Sequence, residues 1–243
     1  MAEPVFTNER AATRVARHIV NDIQVRGLRP GAMLDPEHIM IQKFGVARAT
    51  IREALRFLEL QGALRIKAGP GGGPVVSVPS IDHLTSAISL QLQFANATFQ
   101  SVLDARRSIY PVLVAEAAEK ATHQDIAALR QCVERLHVAV KDSEETTRET
   151  RHFYEMVAAA SKNLVLGLLV NTLHRMSQGS GIKYDKEHRQ AAARNLERIL
   201  QAIEAGDAAK AHAISTKMHS AATRYWEKNA PDLLSAPVSW VGS

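Results

Sequence analysis

The sequence predicts a mostly α-helical protein in two parts: an N-terminal winged helix-turn-helix with a small β-hairpin wing, then an all-helical bundle of six or seven helices. Three observations carry this. Helical patterns in the first 62 residues lead into two short apolar segments around "AGPGGG". No convincing strand pattern follows residue 79, where long helical patterns take over. The positive charge is also uneven: residues 1–78 hold 11 Lys and Arg against 7 Asp and Glu, and the rest of the 243 residues hold 19 against 18. The organisation read from these patterns is a winged domain at 1–78, a helical domain at 79–229 and a tail at 230–243.

The elements follow in order. Ala12, Val15, Ile19 and Ile23 recur at helical spacing, and Gly27, Pro30 and Gly31 end that helix. Asp35 before Pro36 offers an N-cap oxygen and a proline at the first helical position, so a short helix is expected to about Phe44, broken by Gly45. The next helix begins near Ala47, carries Ile51, Ala54, Leu55 and Leu58 on one face, and ends at Gly62. "LRIK" and "PVVSV" read as two strands joined by the glycines. Further on, breaks are expected near Asn96, 121–123, Asp142 and Ser143, Lys162 and Asn163, 179–181 and Gly206, with Thr122, Ser143 and Asp207 as caps. Pro111 should kink or restart its helix. The closing "APDLLSAPVSWVGS" has too many prolines and small residues for a stable helix and reads as a tail or strap.

Composition excludes several classes. The lone cysteine, Cys132, cannot form an internal disulfide, and no Cys-x-x-Cys pair exists for zinc or redox chemistry. The first ten residues mix acids and bases without an apolar signal core, and the longest greasy runs fall short of a membrane span. A cytoplasmic protein with no membrane partner is expected. An enzyme is not: "GPGGGP" lacks the Lys-Ser/Thr and following helix of a phosphate loop, and Ser161 and Cys132 have no sequence-level partners.

Arg48, Arg52 and Arg56 recur at i, i+4 and i+8, along one side of the second helix of the motif and away from its apolar face. Such a helix can enter a major groove with arginine forks toward guanine edges or phosphates, while a glycine-rich wing beside Lys67 approaches the backbone. With Glu53 and Glu59 nearby, the same spacing also suits a solvated face with local ion pairs. The order of elements, in the basic third of the chain, favours double-stranded DNA.

The stretch "LRPGAMLDPEHIMIQKFGVARATIREALRFLELQGALRIKAGPGGGPVV" resembles the DNA-binding domain of GntR-type transcription regulators. "LDARRSIYPVLVAEAA", "FYEMVAAASKN" and "NLERILQAIEAGDAAKAH" resemble the all-helical ligand domain (FCD type) of the FadR subfamily. The resemblance implies a homodimer whose helical domains bind a small metabolite, an organic acid or acyl compound, and thereby alter the grip of two winged domains on an inverted repeat, as in a repressor. It implies DNA contacts by Arg48, Arg52, Thr50 and Gly69, with Lys67 beside the wing. Two positions depart from the family pattern. Ala47 replaces a capping Ser or Thr, and His38 stands where an arginine is common.

Many members of the family hold a divalent metal with an aspartate and three histidines. The matching positions here are Thr150, Tyr154, Asn195 and Met218, so no metal or other cofactor is expected. Of the remaining histidines, at 152, 174, 188, 212 and 219, only His219 is retained as a ligand candidate, on a stripe with His212 and Trp226. Thr150, Tyr154 and Asn195 would instead form a neutral hydrogen-bonding pocket against Met218. Arg106 matches the arginine of the family's Glu-x-Arg segment and would take a carboxylate or phosphate. A salt bridge from Arg106 to a helix partner such as Asp104, or to an acid elsewhere, is the structural alternative. A DNA-binding scaffold with a degenerate, non-sensing pocket is the functional one.

Overall fold

The computed structural model describes residues 10–69, 71–178 and 184–242. The chain divides into two compact units between His83 and Leu84.

In the first unit, α1 (Ala11–Val25) buries Ala12, Val15, Ala16 and Ile19, one stripe of its surface. It is followed by α2 (Glu37–Phe44) and α3 (Arg48–Leu60), and α3 buries Ile51, Ala54, Leu55 and Leu58, the face its spacing predicts. β1 (Leu64–Lys67) and β2 (Gly73–Val76) pair antiparallel, with Leu64 opposite Val76 and Lys67 opposite Gly73. The turn after α1 adds to this hairpin. Met33 bridges Val75, and the Gly31 and Leu34 N–H groups donate to Val76 O and Pro74 O at 2.8 and 2.9 Å. The core joins α1 and α3 to Leu34, Met40, Leu64 and Val76. Truncating the fully buried Ile51 to Ala there should cost about 2–5 kcal/mol.

Asp35 does not cap α2. Pro36 holds the N-cap without a side-chain bond, because the Asp35 carboxylate faces Arg26 at 3.0 Å. Arg26 and Lys43 also hold Asp22, at 3.1 and 2.7 Å. The pairing keeps the Asp22 carboxyl below the usual range, mainly through its bond from Lys43.

Among the described residues, seven longer helices follow residue 79: α4 (Ile81–Phe94), which spans the division, α5 (Phe99–Lys120), α6 (His123–Ala139), α7 (Ser143–Ala160), α8 (Leu164–Gln178), α9 (Lys186–Glu204) and α10 (Ala208–Asn229). A single turn, α11 (Pro231–Ser235), closes the series. The break expected at 179–181 lies outside the described residues. Asn96 and Lys162 take left-handed conformations, with φ of 52° and 57°, at two of the expected breaks. Thr122 forms a full capping box with Asp125, and Asp207 caps α10 through Lys210 N–H at 2.9 Å. At α7 the cap is Asp142 and not Ser143. One Asp142 oxygen accepts from the Glu144 and Glu145 N–H groups, both at 2.8 Å.

Pro111 does not divide its helix: α5 runs through it unbroken. Tyr110, Leu113, Val114 and Ala117 around the proline are fully buried, and their packing outweighs a penalty of about 3 kcal/mol for an interior proline. They belong to a core completed by Leu129 and Leu136 of α6, Phe153 and Val157 of α7, and Ile199 and Ile203 of α9. No helix among the described residues is long and apolar enough to cross a membrane.

The C-terminal segment behaves as a strap. Proline does not prevent a helix there, since Pro231 sits at the first position of α11, where its missing N–H costs nothing. Beyond α11, Ala236 O accepts from Phe99 N–H at 2.9 Å and Val238 N–H donates to Ala97 O at 2.8 Å. Trp240 donates its backbone N–H to Gln93 Oε1 and its indole N–H to Ser86 Oγ, at 2.7 and 2.8 Å, so the strap is fastened to α4.

Candidate functional site

The exposed side of α3 and the wing tip form the first site. Arg48, Arg52 and Arg56 are exposed on α3, opposite its buried stripe, and Thr50 is half-buried. Arg48 meets Glu37 only loosely, at 3.6 Å with its side chain 75% exposed, so its guanidinium is open to a further partner. Ala47 occupies the N-cap without a side-chain bond, which leaves the first N–H groups of α3 uncapped by a side chain. His38 is exposed on α2, and Lys67 and Gly69 are exposed at the end of the hairpin. No neighbour lies within 4 Å of a Cβ built on Gly69, so backbone and partner can come close there. Gly72 is required for another reason. Its Cβ would fall 2.2 Å from Lys67 O, and any side chain would break the turn.

Glu59, near the end of α3, is not part of an ion-pair ladder with these arginines. Its Oε1 accepts from the Ile66 N–H at 3.2 Å and braces the wing against the helix. That fixed hairpin is what a rigid DNA-binding unit needs.

The second site is a cavity of about 230 Å³ among α5, α7, α8, α9 and α10. Arg106, Thr150, Tyr154, Asn195, Met218 and His219 all line it. Thr150 and Tyr154 are one turn apart on α7, and Met218 and His219 come from α10. Tyr184, Arg189 and Trp226, which the sequence analysis did not place in the site, and His174, which it set aside, also line the cavity, and Tyr110 packs behind them. Of these, Trp226 had a visible signal, since it shares a seven-residue stripe with His219.

Two buried tyrosine–histidine pairs organise the cavity floor. Tyr154 Oη lies 3.1 Å from His219 Nε2, and Tyr110 Oη lies 3.0 Å from His174 Nδ1. The two phenol rings stack at 4.4 Å between centroids, and the Arg106 guanidinium lies over Tyr110 at 5.1 Å. Burial holds both imidazoles neutral. It pushes His219 down to about 3, with Arg106 adding to the effect, and lowers His174 well below its ordinary value. Burial also raises Tyr154 well above the ordinary phenol value, with the neighbouring Tyr110 second, while Arg106 opposes. At neutral pH the floor is therefore uncharged except for Arg106.

Arg106 does not pair with Asp104, which is held by Arg107 at 3.0 Å and Gln100 at 3.2 Å. Its Nε is buried with no hydrogen-bond partner. A second arginine, Arg189, is committed elsewhere, donating to Val140 O at 3.0 Å and to Tyr184 O. Trp226 donates its indole N–H to Tyr184 Oη, and the Tyr184 ring stacks on His188 at 5.2 Å.

The lining does not fit a metal centre. Thr150, Tyr154, Asn195 and Met218 supply neither carboxylate nor imidazole, and the two floor histidines each commit a nitrogen to a tyrosine. Among the described residues no three His, Cys, Asp or Glu side chains gather to hold an ion. Elsewhere, His212 is exposed and His152 lies 3.6 Å from Glu155. Cys132 is buried, and that burial, with Glu149 second, pushes its thiol up to about 12, far from a nucleophile's range.

Comparison with known proteins bears on both units. The gntR family of bacterial regulatory proteins matches residues 11–73, and the FCD domain matches residues 101–220. The chain is 25% identical over 213 residues to the HTH-type transcriptional regulator LutR of Bacillus subtilis (strain 168), spanning 83% of this chain and 96% of LutR. It is 24% identical over 184 residues to the fatty acid metabolism regulator protein of Pasteurella multocida (strain Pm70), 75% of either chain. Among solved structures, Streptococcus agalactiae GntR superposes with a TM-score of 0.70 over 88% of this chain and 99% of that one, at 20% identity, a likeness of fold. With a GntR-type helix-turn-helix domain followed by an FCD domain, and relatives that are regulators and not enzymes, the chain belongs to the GntR family of transcriptional regulators.

Proposed function

We propose that the protein is a cytoplasmic repressor of the FadR subfamily that binds an inverted-repeat operator as a homodimer and changes its operator affinity when a small organic acid or acyl compound enters the helical domain. In this reading residues 1–78 hold DNA, 79–229 dimerise and bind effector, and 230–243 strap the helical domain. Arg48 and Arg52 read base edges, Thr50, His38 and Lys67 meet phosphates, and Gly69 admits the wing to the minor groove. Arg106 takes the acidic end of the effector, Thr150, Tyr154, Asn195 and His219 offer hydrogen bonds, and Met218 supplies an apolar wall.

The observation that carries the sensing role is the buried, unpartnered Nε of Arg106 in a cavity whose described lining residues include no aspartate or glutamate. A buried donor left without an acceptor costs about 1–3 kcal/mol, and an anionic ligand removes that cost on binding. A scaffold with a degenerate pocket would have filled this space with side chains. Here about 230 Å³ stays open.

Selection of bound sequences from a random DNA pool tests the reading. It should return an inverted repeat occupied by two protomers, and candidate acids added to that complex should change the bound fraction. Recovery of no sequence above background, or of a site bound by one protomer, would contradict it.

A further inference from the structure

The cavity also narrows the chemistry of its occupant. This step rests on the reading of the cavity as the effector site. Charge comes first: among the described lining residues Arg106 is the cation with an unpartnered buried nitrogen, whereas Arg189 gives Nε and one terminal nitrogen to the Val140 and Tyr184 carbonyls. Among the described lining residues, one guanidinium nitrogen without an acceptor provides for one carboxylate, and a second would enter a neutral floor of tyrosine and histidine at a large desolvation cost.

Polarity is the next restriction. The Tyr154–His219 and Tyr110–His174 pairs satisfy each other, and the Thr146, Thr147 and Ser177 hydroxyls donate to backbone carbonyls of their own helices or turn. Of the aliphatic hydroxyl and amide side chains in the lining, that leaves Ser143, Thr150 and Asn195 with no such bond among the described residues. A ligand carrying a row of hydroxyls would find too few partners and would lose its hydration. The rest of the lining includes an apolar set, the alanines at 191–192 and 221–222 with Leu196 and Met218.

Size sets the last limit. An apolar cavity of about 150 Å³ admits a benzene ring. The 230 Å³ here leaves space for a ring or branched chain plus one acid group and little more.

We propose that the effector is a compact monocarboxylate with a mainly apolar body, its carboxylate on Arg106 and its ring or branched chain against the alanines of α9 and α10, bound without a metal. Sugar acids, dicarboxylates and tricarboxylates fit poorly, because the described lining offers one unpartnered cationic nitrogen and few free hydrogen-bonding groups.

Isothermal titration of the full chain, with and without chelator, tests this using benzoate, phenylacetate and isovalerate as probes. Benzamide and phenylacetamide serve as uncharged isosteres, and succinate, citrate, gluconate and galacturonate as the poorly fitting classes. At least one monocarboxylate should bind, unaffected by chelator, and its amide should bind about ten- to a hundredfold more weakly, the loss of one charge-assisted contact. Arg106→Gln should weaken the acid by a similar factor and leave the amide unchanged. The amide comparison uses the unaltered protein, so its outcome does not depend on how the variant folds. Tighter binding of succinate, citrate or a sugar acid than of every monocarboxylate would overturn the chemical class and leave the sensing role standing. So would equal binding of acid and amide, or binding abolished by chelator. No binding by any probe, together with no thermal shift from a deproteinised metabolite extract, would overturn the class and the sensing role together.

Discussion

Tyr154 Oη and His219 Nε2 lie 3.1 Å apart and join α7 to α10 between two buried rings. Both partners are uncharged at neutral pH, so the pair puts a neutral hydrogen bond in the cavity floor. Breaking it exposes what the pair contributes. Tyr154→Phe leaves a buried imidazole nitrogen without its partner and should destabilise the fold by about 1–3 kcal/mol. Adding His219→Leu should cost less than the sum of the two single changes, because the orphaned group is then gone. Chemical denaturation of the two single variants and the double variant measures this, and strict additivity would show that the bond contributes nothing.

The neutral state of His219 predicts a pH dependence with a definite sign. Its folded value, about 3, lies below its ordinary 6.5. Between those values the unfolded chain binds a proton that the folded chain refuses, so this contribution to stability is complete above 6.5 and is lost as pH falls toward 3. His174 is shifted in the same direction and adds to the trend. Unfolding free energy should therefore rise with pH across that window. His219→Gln should lower the slope, and an unchanged slope would place the titrating groups elsewhere.

On α3, Arg48 and Arg52 are exposed and outside the core, so their truncation should leave the melting temperature nearly unchanged. If they read bases, each Arg→Ala should cost about 1–3 kcal/mol of specific binding. Lys67→Ala should weaken all sequences alike and reduce the salt slope by about one. Operator affinity unaltered in both arginine variants would remove α3 as the reading helix.

Gly62 ends α3 in a left-handed conformation with φ of 72°, and a Cβ there would lie 2.8 Å from His83 Cε1. Gly62→Ala should cost about 1–2 kcal/mol from the backbone alone, with a further steric penalty. His83→Ala in the same chain should recover the steric part and not the backbone part. Full recovery in the double variant would show that the conformation itself is unstrained.

Helices with a single buried stripe were legible in the sequence, α3 most clearly, because a spacing of three and four residues states which face is covered. Caps were less so. Asp35 and Asp142 both offer an oxygen near a helix start, and only tertiary neighbours decide their use: Arg26 draws the first away, while the second is free to bind two N–H groups. Pro111 misled for a similar reason, since its local penalty is visible and the packing that offsets it is not. The cavity residues on α7 and α10 were found through resemblance, and they line one space. Tyr110 left no sequence signal and His174 was set aside among scattered histidines because their pairing spans 64 residues, and Arg189 could not be told from a surface arginine without the two carbonyls it holds.

The proposed function requires that occupancy of the cavity control the grip on DNA. Its most direct test is fluorescence anisotropy of the selected operator, titrated with protein at rising concentrations of the tightest-binding acid. The DNA dissociation constant of the unaltered protein should shift by about fivefold or more at saturation, and Arg106→Gln should hold the same DNA without responding over that range. An unaltered protein whose affinity is the same with the cavity empty and full, or an Arg106→Gln variant that responds as the parent does, would contradict it.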